Sequence, residues 1–271
     1  MAIHKTEGII LTSANWSESS QTITLFTPDR GKITLNVKGS RQLAGKRGRP
    51  LRFARLEFSC YLRAGSETGY LSDVEPVEVF LFEKDGQLGR LAFASAAVEL
   101  LNSLLIAHDP QPSCYQITLS FLRMTDQLDK NRLPGLFAGY ILRLISLLGF
   151  RPNLAGCGLC GRSMSAENES ENSPPLMFSA ERGAIICDDC RRSLVQNDEL
   201  LPLPTALHSR ALRLMESSLE EASQIHISLK DLNLLIDIIT SLLRYHAGTT
   251  RPTKSLDFLD KLARAAKTYG G

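Results

Sequence analysis

Two cysteine pairs, Cys157/Cys160 and Cys187/Cys190, are the residues of this 271-residue chain whose type and spacing point most directly to chemistry. A Cys-x-x-Cys pair delivers two sulfurs from one tight turn, and Gly158 and Gly161 ease the first of these turns. Two pairs supply the four soft ligands of a tetrahedral zinc site, with sulfurs at about 2.3 Å from the metal. The spacer of 26 residues between Cys160 and Cys187 is longer than the roughly 15–20 usual between such pairs. Its surplus, SMSAENESENSPP, has the Ser-, Asn- and Glu-rich composition of a loop, and a loop tolerates added length at small entropic cost. The alternatives are weaker. A thioredoxin-like motif needs a single Cys-x-x-Cys in a βαβ context, disulfides contradict a reducing compartment, and an iron–sulfur cluster remains chemically allowed by four thiolates. Four Cys ligands leave no open position for water, so the expectation is one structural Zn2+ per chain and no catalytic metal. A zinc deaminase would also need His-x-Glu and Pro-Cys-x-x-Cys. No histidine here is followed by x-Glu, and Ile186 precedes Cys187. Cys60 and Cys114 read as core thiols.

A second concentration of functional groups is cationic. Nine basic residues and no acidic one lie between positions 30 and 55: Arg30, Lys32, Lys38, Arg41, Lys46, Arg47, Arg49, Arg52 and Arg55. The formal charge of the chain is only +2, because residues 1–80 carry +3 and the remainder −1. The middle of the run, KGSRQLAGKRGRPLR, reads as a glycine-containing basic loop between strands. Charge of one sign concentrated on a small surface attracts a polyanion and releases its counterions. A solvated loop is the bland reading; nine uncompensated charges in 26 residues favour nucleic-acid contact. Of the nearby aromatics, Phe53 is expected in the core. Tyr61 shares a strand face with Glu57, Ser59 and Arg63, so it is expected to point outward as a stacking surface, and Tyr70 could add to it. No base-reading code is visible, so binding is expected to follow backbone and shape, with steep salt dependence.

Other chemistry is poorly supported. His4, His108, His208, His226 and His246 are scattered. The chain has no phosphate-binding Gly-x4-Gly-Lys-Ser/Thr and no Gly-x-Ser-x-Gly elbow. Asp188/Asp189 sit inside the second cysteine turn as solvated acids, and GTTRPTK reads as a C-terminal loop. Nothing argues for an ATPase, nuclease or ligase, so the expectation is a non-enzyme.

These groups must be positioned by two kinds of element. The first 80 residues alternate as strands: IILT, QTITLF, KITLNV, LEFSCYL and YLSDV, with a TPDRG turn between the second and third. Five short strands suggest a small closed barrel or sandwich, a count that also fits the oligonucleotide-binding (OB) barrel. From about residue 84 the period becomes helical, in LGRLAFASAAVELLNSLL, YQITLSFLRMTDQL and LPGLFAGYILRLISLLGF. Pro134 suits a first turn and Gly149 a helix end. After the cysteines come TALHSRALRLMESSLEEA, read as one amphipathic stretch, and SLKDLNLLIDIITSLLRYHA, with Ser228 as N-cap and Asp231 in its first turn. A short helix is expected in the tail.

Taken together, these segments resemble the RecO family of bacterial recombination mediators. FTPDRGKITLNVKGSRQ resembles that family's second hairpin; LPGLFAGYILRLISLLGFRPNLAGCGLCG resembles its helix leading into the first Cys-x-x-Cys; MFSAERGAIICDDC resembles the stretch at the second; RPTKSLDFL resembles its C-terminal Lys-Ser-x-x-Phe-Leu segment. The resemblance implies an α+β chain with an N-terminal five-stranded OB-fold barrel (1–80) and a mainly α-helical domain (81–271) carrying an inserted four-cysteine zinc finger (151–192). It implies binding of single- and double-stranded DNA, annealing of complementary strands, and work with RecR to load RecA onto DNA coated by single-strand-binding protein (SSB). Some members lack the cysteines, which fits a structural metal. The family also binds the acidic, apolar SSB tail on its helical domain, for which Arg123, Arg132 or Arg143 could supply the cation. The rival reading is an interaction scaffold that docks RecR and SSB, with DNA contact secondary. No apolar run approaches the roughly 18–20 residues of a membrane span, and MAIHKTEGII lacks the features of a secretory signal. The expected location is therefore the cytoplasm, at the nucleoid during repair.

Overall fold

The strands expected in the N-terminal region form, and their alternation decides what lies inside. In the computed structural model, which describes residues 2–15, 20–38, 53–62, 68–164, 174–194 and 199–248, β1 (Ala2–Asn15), β2 (Gln21–Thr27), β3 (Gly31–Val37), β4 (Ala54–Leu62) and β5 (Thr68–Val79) close into a barrel of order β1-β2-β3-β5-β4. The long β1 serves two neighbours. Its first half pairs with β4 from Ala2–Leu62 to Ile9–Arg55, and its second half pairs with β2 from Ile9–Phe26 to Asn15–Gln21. An irregularity between Ile10 and Thr12 lets the strand turn from one side to the other. Closure comes from a short parallel pairing of β3 with β5, Thr34–Thr68 to Asn36–Tyr70. Gly69 stands there because a Cβ would come within 2.5 Å of the Tyr61 carbonyl oxygen.

One face of each strand fills the barrel: Ile33, Leu35 and Val37 from β3, Leu56, Phe58 and Cys60 from β4, with Ile10, Ile23, Leu25, Leu71 and Val74. The other face is not uniformly wet. Two helices, α1 (Gln87–Leu104) and α2 (Pro112–Gln127), pack in the same compact unit, Met1–Gln127. Ile9 and Phe26, paired across β1 and β2, are fully buried. Phe26 meets Tyr115 of α2 edge-on at 5.6 Å. The backbone N–H of His108 donates to the Lys32 carbonyl at 3.0 Å. Gly31, with φ 64°, lies so close to Asp109 that a Cβ would sit 2.1 Å from its carbonyl oxygen. α1 buries a cation, Arg90, whose guanidinium donates to the carbonyls of Asp85 (3.1 Å) and Thr125 (2.6 Å). Thr125 lies in the last turn of α2, where the helix dipole favours positive charge. Phe53 is buried as expected, edge-on to Phe82 at 5.4 Å. Cys60 and Cys114 are buried thiols, each raised by burial, Cys114 to about 11. The expected boundary near residue 80 marks the change from strand to helix; the division into compact units falls after Gln127.

The second unit begins at Leu128. Its centre is α3 (Leu133–Leu147), with Pro134 in the first turn and Gly149 at φ 88° beyond the end, as expected. A sheet of order β6-β8-β7-β9 follows, built from β6 (Asn153–Cys157), β7 (Leu176–Ser179), β8 (Ala184–Ile186) and β9 (Leu200–Leu203), with α4 (Asp188–Ser193) after β8. These strands were not expected from the sequence; β7, β8 and β9 have only three or four residues each. The stretch read as one amphipathic helix is two, α5 (Thr205–Glu216) and α6 (Leu219–Ala222), broken at Ser217 and Ser218. Ser218 restarts the chain with a capping box: its hydroxyl accepts from the Glu221 N–H, and the Glu221 carboxylate accepts from the Ser218 N–H. The last described helix, α7 (Leu229–His246), has the expected Ser228 N-cap, whose hydroxyl accepts from the Asp231 N–H at 3.0 Å. Among the described residues, no helix is long and apolar enough to cross a membrane.

Candidate metal centre and nucleic-acid interface

The four cysteines converge because β6 and β8 run side by side. Cys157 ends β6 opposite Ile185 of β8, and Cys187 follows β8 as the N-cap of α4, which carries Cys190. The first pair is shaped by a knuckle. The Gly161 N–H donates to the Cys157 carbonyl at 2.9 Å, and the Cys157 N–H to the Arg162 carbonyl at 2.8 Å. Gly161 has φ 72°, a conformation glycine adopts freely. Gly158 has no room for a side chain, since a Cβ would stand 2.7 Å from that of Ala184. Gly161 thus serves the turn as expected, whereas Gly158 is required by the closeness of Ala184.

The result is one sulfur from each of Cys157, Cys160, Cys187 and Cys190, all within 4.8 Å of one another. Cys160 and Cys187 are separated by 3.8 Å. Cys157 and Cys187 are buried, Cys190 is half-buried and Cys160 is exposed. Burial alone would raise the Cys157 thiol, but the N–H groups of Cys187, Cys160 and Leu159 outweigh it and bring it down to about 6. Cys190 moves the other way, pushed up to about 12 by hydrogen bonding with the Cys187 and Cys160 sulfurs. Four thiolates this close repel one another unless a cation joins them, so the donor set fits a metal ion that could touch all four. Arg162 bonds Asp189 at 2.7 Å, which ties the first turn to α4 across the cluster. Asp188 and Asp189 are thus paired with Arg191, Arg162 and Arg192 on the surface.

The cationic residues named from sequence divide sharply. Lys32 lies on the outer wall, but its ammonium donates to the Asn102 carbonyl at 2.9 Å, and burial lowers its pKa. Arg55 is ion-paired with Glu7 at 2.7 Å. Arg30 donates to Nδ1 of His4 at 2.8 Å beside Asp29. Lys38 is exposed, with Nζ 5.1 Å from the ring centroid of Tyr70. Tyr61 lies directly opposite Tyr70 on the outer wall and is half-buried. Arg41, Lys46, Arg47, Arg49 and Arg52 lie outside the described residues, as do the polar spacer from 165 to 173 and the tail from 249. Ile3, opposite Tyr61 and 62% exposed, belongs to the same wall and escaped the sequence reading. Its signal was alternation: it shares a face with Lys5 and Glu7.

The three arginines named as partner contacts are held differently. Arg123 forms a two-pronged pair with Glu78, with contacts of 2.7 to 3.0 Å. Arg132 donates to the Ser223 hydroxyl at 2.6 Å. Arg143 is exposed and donates to the Ser217 carbonyl at 3.2 Å.

Comparison with known proteins gives a consistent result. The profile described as Recombination protein O N terminal matches residues 1–80, and that of Recombination protein O C terminal matches residues 86–257. A DNA repair protein RecO of Symbiobacterium thermophilum is 29% identical over 270 residues, covering 98% of this chain and 100% of that protein. RecO proteins of Anaeromyxobacter dehalogenans and Pelotomaculum thermopropionicum are each 27% identical, covering 95% and 100% of this chain and 96% and 98% of their own lengths. With an N-terminal five-stranded OB-type barrel, a helical C-terminal part and a matching profile over each, the chain belongs to the recombination protein O family.

Proposed function

We propose that this chain is a non-enzymatic DNA-binding mediator of recombination and repair. It binds single- and double-stranded DNA, anneals complementary strands and, with RecR, helps RecA load onto SSB-coated single strands. The observation that carries this reading is the basic run from Arg30 to Arg55, nine Lys/Arg with no acidic residue among them, on an OB-type barrel. Within it two roles are proposed. Lys32 and Arg55 are committed to Asn102 and Glu7, while Lys38 stands exposed at the residue from which the segment with Arg41, Lys46, Arg47, Arg49 and Arg52 departs. Phosphates held by this segment bring two strands to a high effective concentration. Pairing is then downhill, so no nucleotide hydrolysis is required.

The cysteine quartet is proposed to hold one structural zinc. A tetrahedron with zinc–sulfur distances of about 2.3 Å has edges of about 3.8 Å, and Cys160 and Cys187 stand 3.8 Å apart. When bound, the ion supplies four bonds that clasp β6, β8 and α4, and the closed ligand set supplies no acid–base chemistry. SSB-tail docking on the helical part is best served by Arg143, the exposed one of the three named arginines, which donates to the Ser217 carbonyl rather than to a carboxylate. In that arrangement RecR and SSB contacts accompany DNA binding and do not replace it.

The test is annealing of complementary strands coated with SSB, with and without RecR, by the wild-type chain and a variant with Lys38, Arg41, Lys46 and Arg47 changed to Glu. The variant is expected to lose annealing, to bind both DNA forms at least tenfold more weakly at about 0.1 M salt, and to show a shallower dependence on salt. Unchanged DNA binding would sink the reading. Retained RecR and SSB binding with no annealing by the wild-type chain would favour the scaffold.

A further inference from the structure

The cysteine quartet is not evenly enclosed. Cys157 and Cys187 are buried and Cys190 is half-buried, whereas Cys160, in the first turn, is exposed. The thiolate is the nucleophile in cysteine oxidation, and its susceptibility follows exposure and nearby positive charge. Cys160 has both. Arg162 has its guanidinium pKa raised by Asp189, which it bonds at 2.7 Å, and then by the Cys187 and Cys160 sulfurs, so a fixed positive charge stands beside them. A second sulfur is within reach, since that of Cys187 lies 3.8 Å from that of Cys160. Cys157 is held otherwise, its sulfur accepting from the Cys187 N–H at 3.4 Å. Cys60 and Cys114 are buried thiols of the other compact unit, outside the cluster. A purely structural site needs four sulfurs, but it does not need one of them open to solvent.

We propose that Cys160 is an oxidation site for peroxides, with Cys187 as its resolving partner, and that the disulfide they form opens the metal clasp. The inference rests on the reading of the quartet as a zinc site and adds how that site is regulated. In the first step the Cys160 sulfur attacks one peroxide oxygen and the O–O bond breaks. The sulfur becomes a sulfenic acid, and the departing hydroxide takes a solvent proton and leaves as water. In the second step the Cys187 sulfur attacks that of Cys160, the S–O bond breaks, and a second hydroxide is protonated and leaves. Two thiolates are thereby oxidised to one disulfide, and one peroxide is reduced to two waters. Inward rotation of the exposed Cys160 side chain closes the 3.8 Å separation to the roughly 2.05 Å of a disulfide. The bond takes two of the four sulfurs away from a bound ion and leaves Cys157 and Cys190, which alone hold it far more weakly. It also joins the first turn to the residue that starts α4, so these two segments stay tied in the oxidised form by a covalent bond. In a reducing compartment such a bond is transient, and thiol exchange restores both thiolates.

The full-length wild-type chain, loaded with zinc, tests this, so that no variant has to fold without a ligand. Zinc release is followed during titration with hydrogen peroxide, and the cysteines are mapped by mass spectrometry before and after. Release of about one zinc per chain is expected, in step with a Cys160–Cys187 disulfide. Cys60 and Cys114 should stay reduced, and dithiothreitol with added zinc should restore the starting state. Brief treatment of the zinc-loaded chain with iodoacetamide should label Cys160 at least about tenfold faster than Cys157 or Cys187. Zinc retained at peroxide doses that oxidise a free thiol, a disulfide confined to either Cys-x-x-Cys pair, or labelling of a buried cysteine ahead of Cys160 would overturn the switch and leave the structural zinc standing. A chain that takes up no zinc overturns both readings.

Discussion

Cys157 and Cys187 are the buried half of the quartet, and Cys160 and Cys190 the accessible half. The buried half ends β6 and begins α4, so each of these sulfurs is fixed by backbone on which a strand or helix depends. Replacing Cys187 therefore takes away one of the four sulfurs that could hold an ion, at the point where β8 leads into α4. Cys187→Ser is expected to reduce bound zinc from about one per chain to a small fraction and to lower the thermal midpoint by about 5 °C or more, with DNA affinity unchanged. Cys60→Ala is the contrast: Cys60 is buried in the barrel, so that change costs stability and leaves zinc in place. Metal analysis beside thermal unfolding checks both, and full stability of Cys187→Ser would refute a structural metal. At this scale the quartet was legible, because the spacing of a ligand pair is a local property. The fate of Lys32 was not. Alternation puts it on the outer wall, where it lies, but Asn102, 70 residues away, captures its ammonium. The difference between Lys32 and Lys38 is a tertiary contact that no local pattern carries.

Most helices were visible as elements because a 3.6-residue period persists over three or more turns. α3 and α7 carry the expected Pro134, Gly149, Ser228 and Asp231 signals. The four short strands around the cysteines were not visible, since β7, β8 and β9 have three or four residues each, too few to establish alternation. Nor was the break between α5 and α6, where two serines interrupt an apolar pattern that continues on both sides. What that break achieves is close packing on α3. A Cβ at Gly139 would lie 2.5 Å from the Cβ of Ala222, and one at Gly135 would lie 2.3 Å from the Ile225 carbonyl oxygen. Backbone as near as this leaves no relaxation short of moving α6. Gly139→Ala should therefore destabilise the chain by about 1–3 kcal/mol despite alanine's better helix propensity. Gly89→Ala, in the first turn of α1 with nothing within 4 Å of its Cβ, should stabilise by about 0.5 kcal/mol. Chemical denaturation of the two variants decides the matter, and the same sign for both would show that α6 does not crowd α3.

For the whole molecule, the sequence locates a change of composition near residue 80, and family profiles stop and restart there, at 80 and 86. The compact unit instead runs to Gln127. The reason is that the barrel's outer wall is apolar at one end. Ile9 and Phe26 face away from the barrel core yet are fully buried, Phe26 against Tyr115, and Glu78 of β5 is bound by Arg123 of α2. A fragment of residues 1–80 would open these groups to water, forfeiting about 1.5–3 kcal/mol for each large apolar side chain uncovered. It would also strand Lys32, Gly31 and Glu78 without Asn102, Asp109 and Arg123. A fragment of residues 1–127 keeps every one of these contacts. It is expected to unfold in a single cooperative transition and to retain salt-dependent binding of single-stranded DNA, whereas residues 1–80 are expected to self-associate or to melt at least 10 °C lower. Sedimentation and thermal unfolding of the two fragments distinguish the cases. A monomeric fragment of residues 1–80 with the same midpoint as the longer one would mean that α1 and α2 merely rest on the barrel, and that the strand-to-helix change near residue 80 is the true unit boundary.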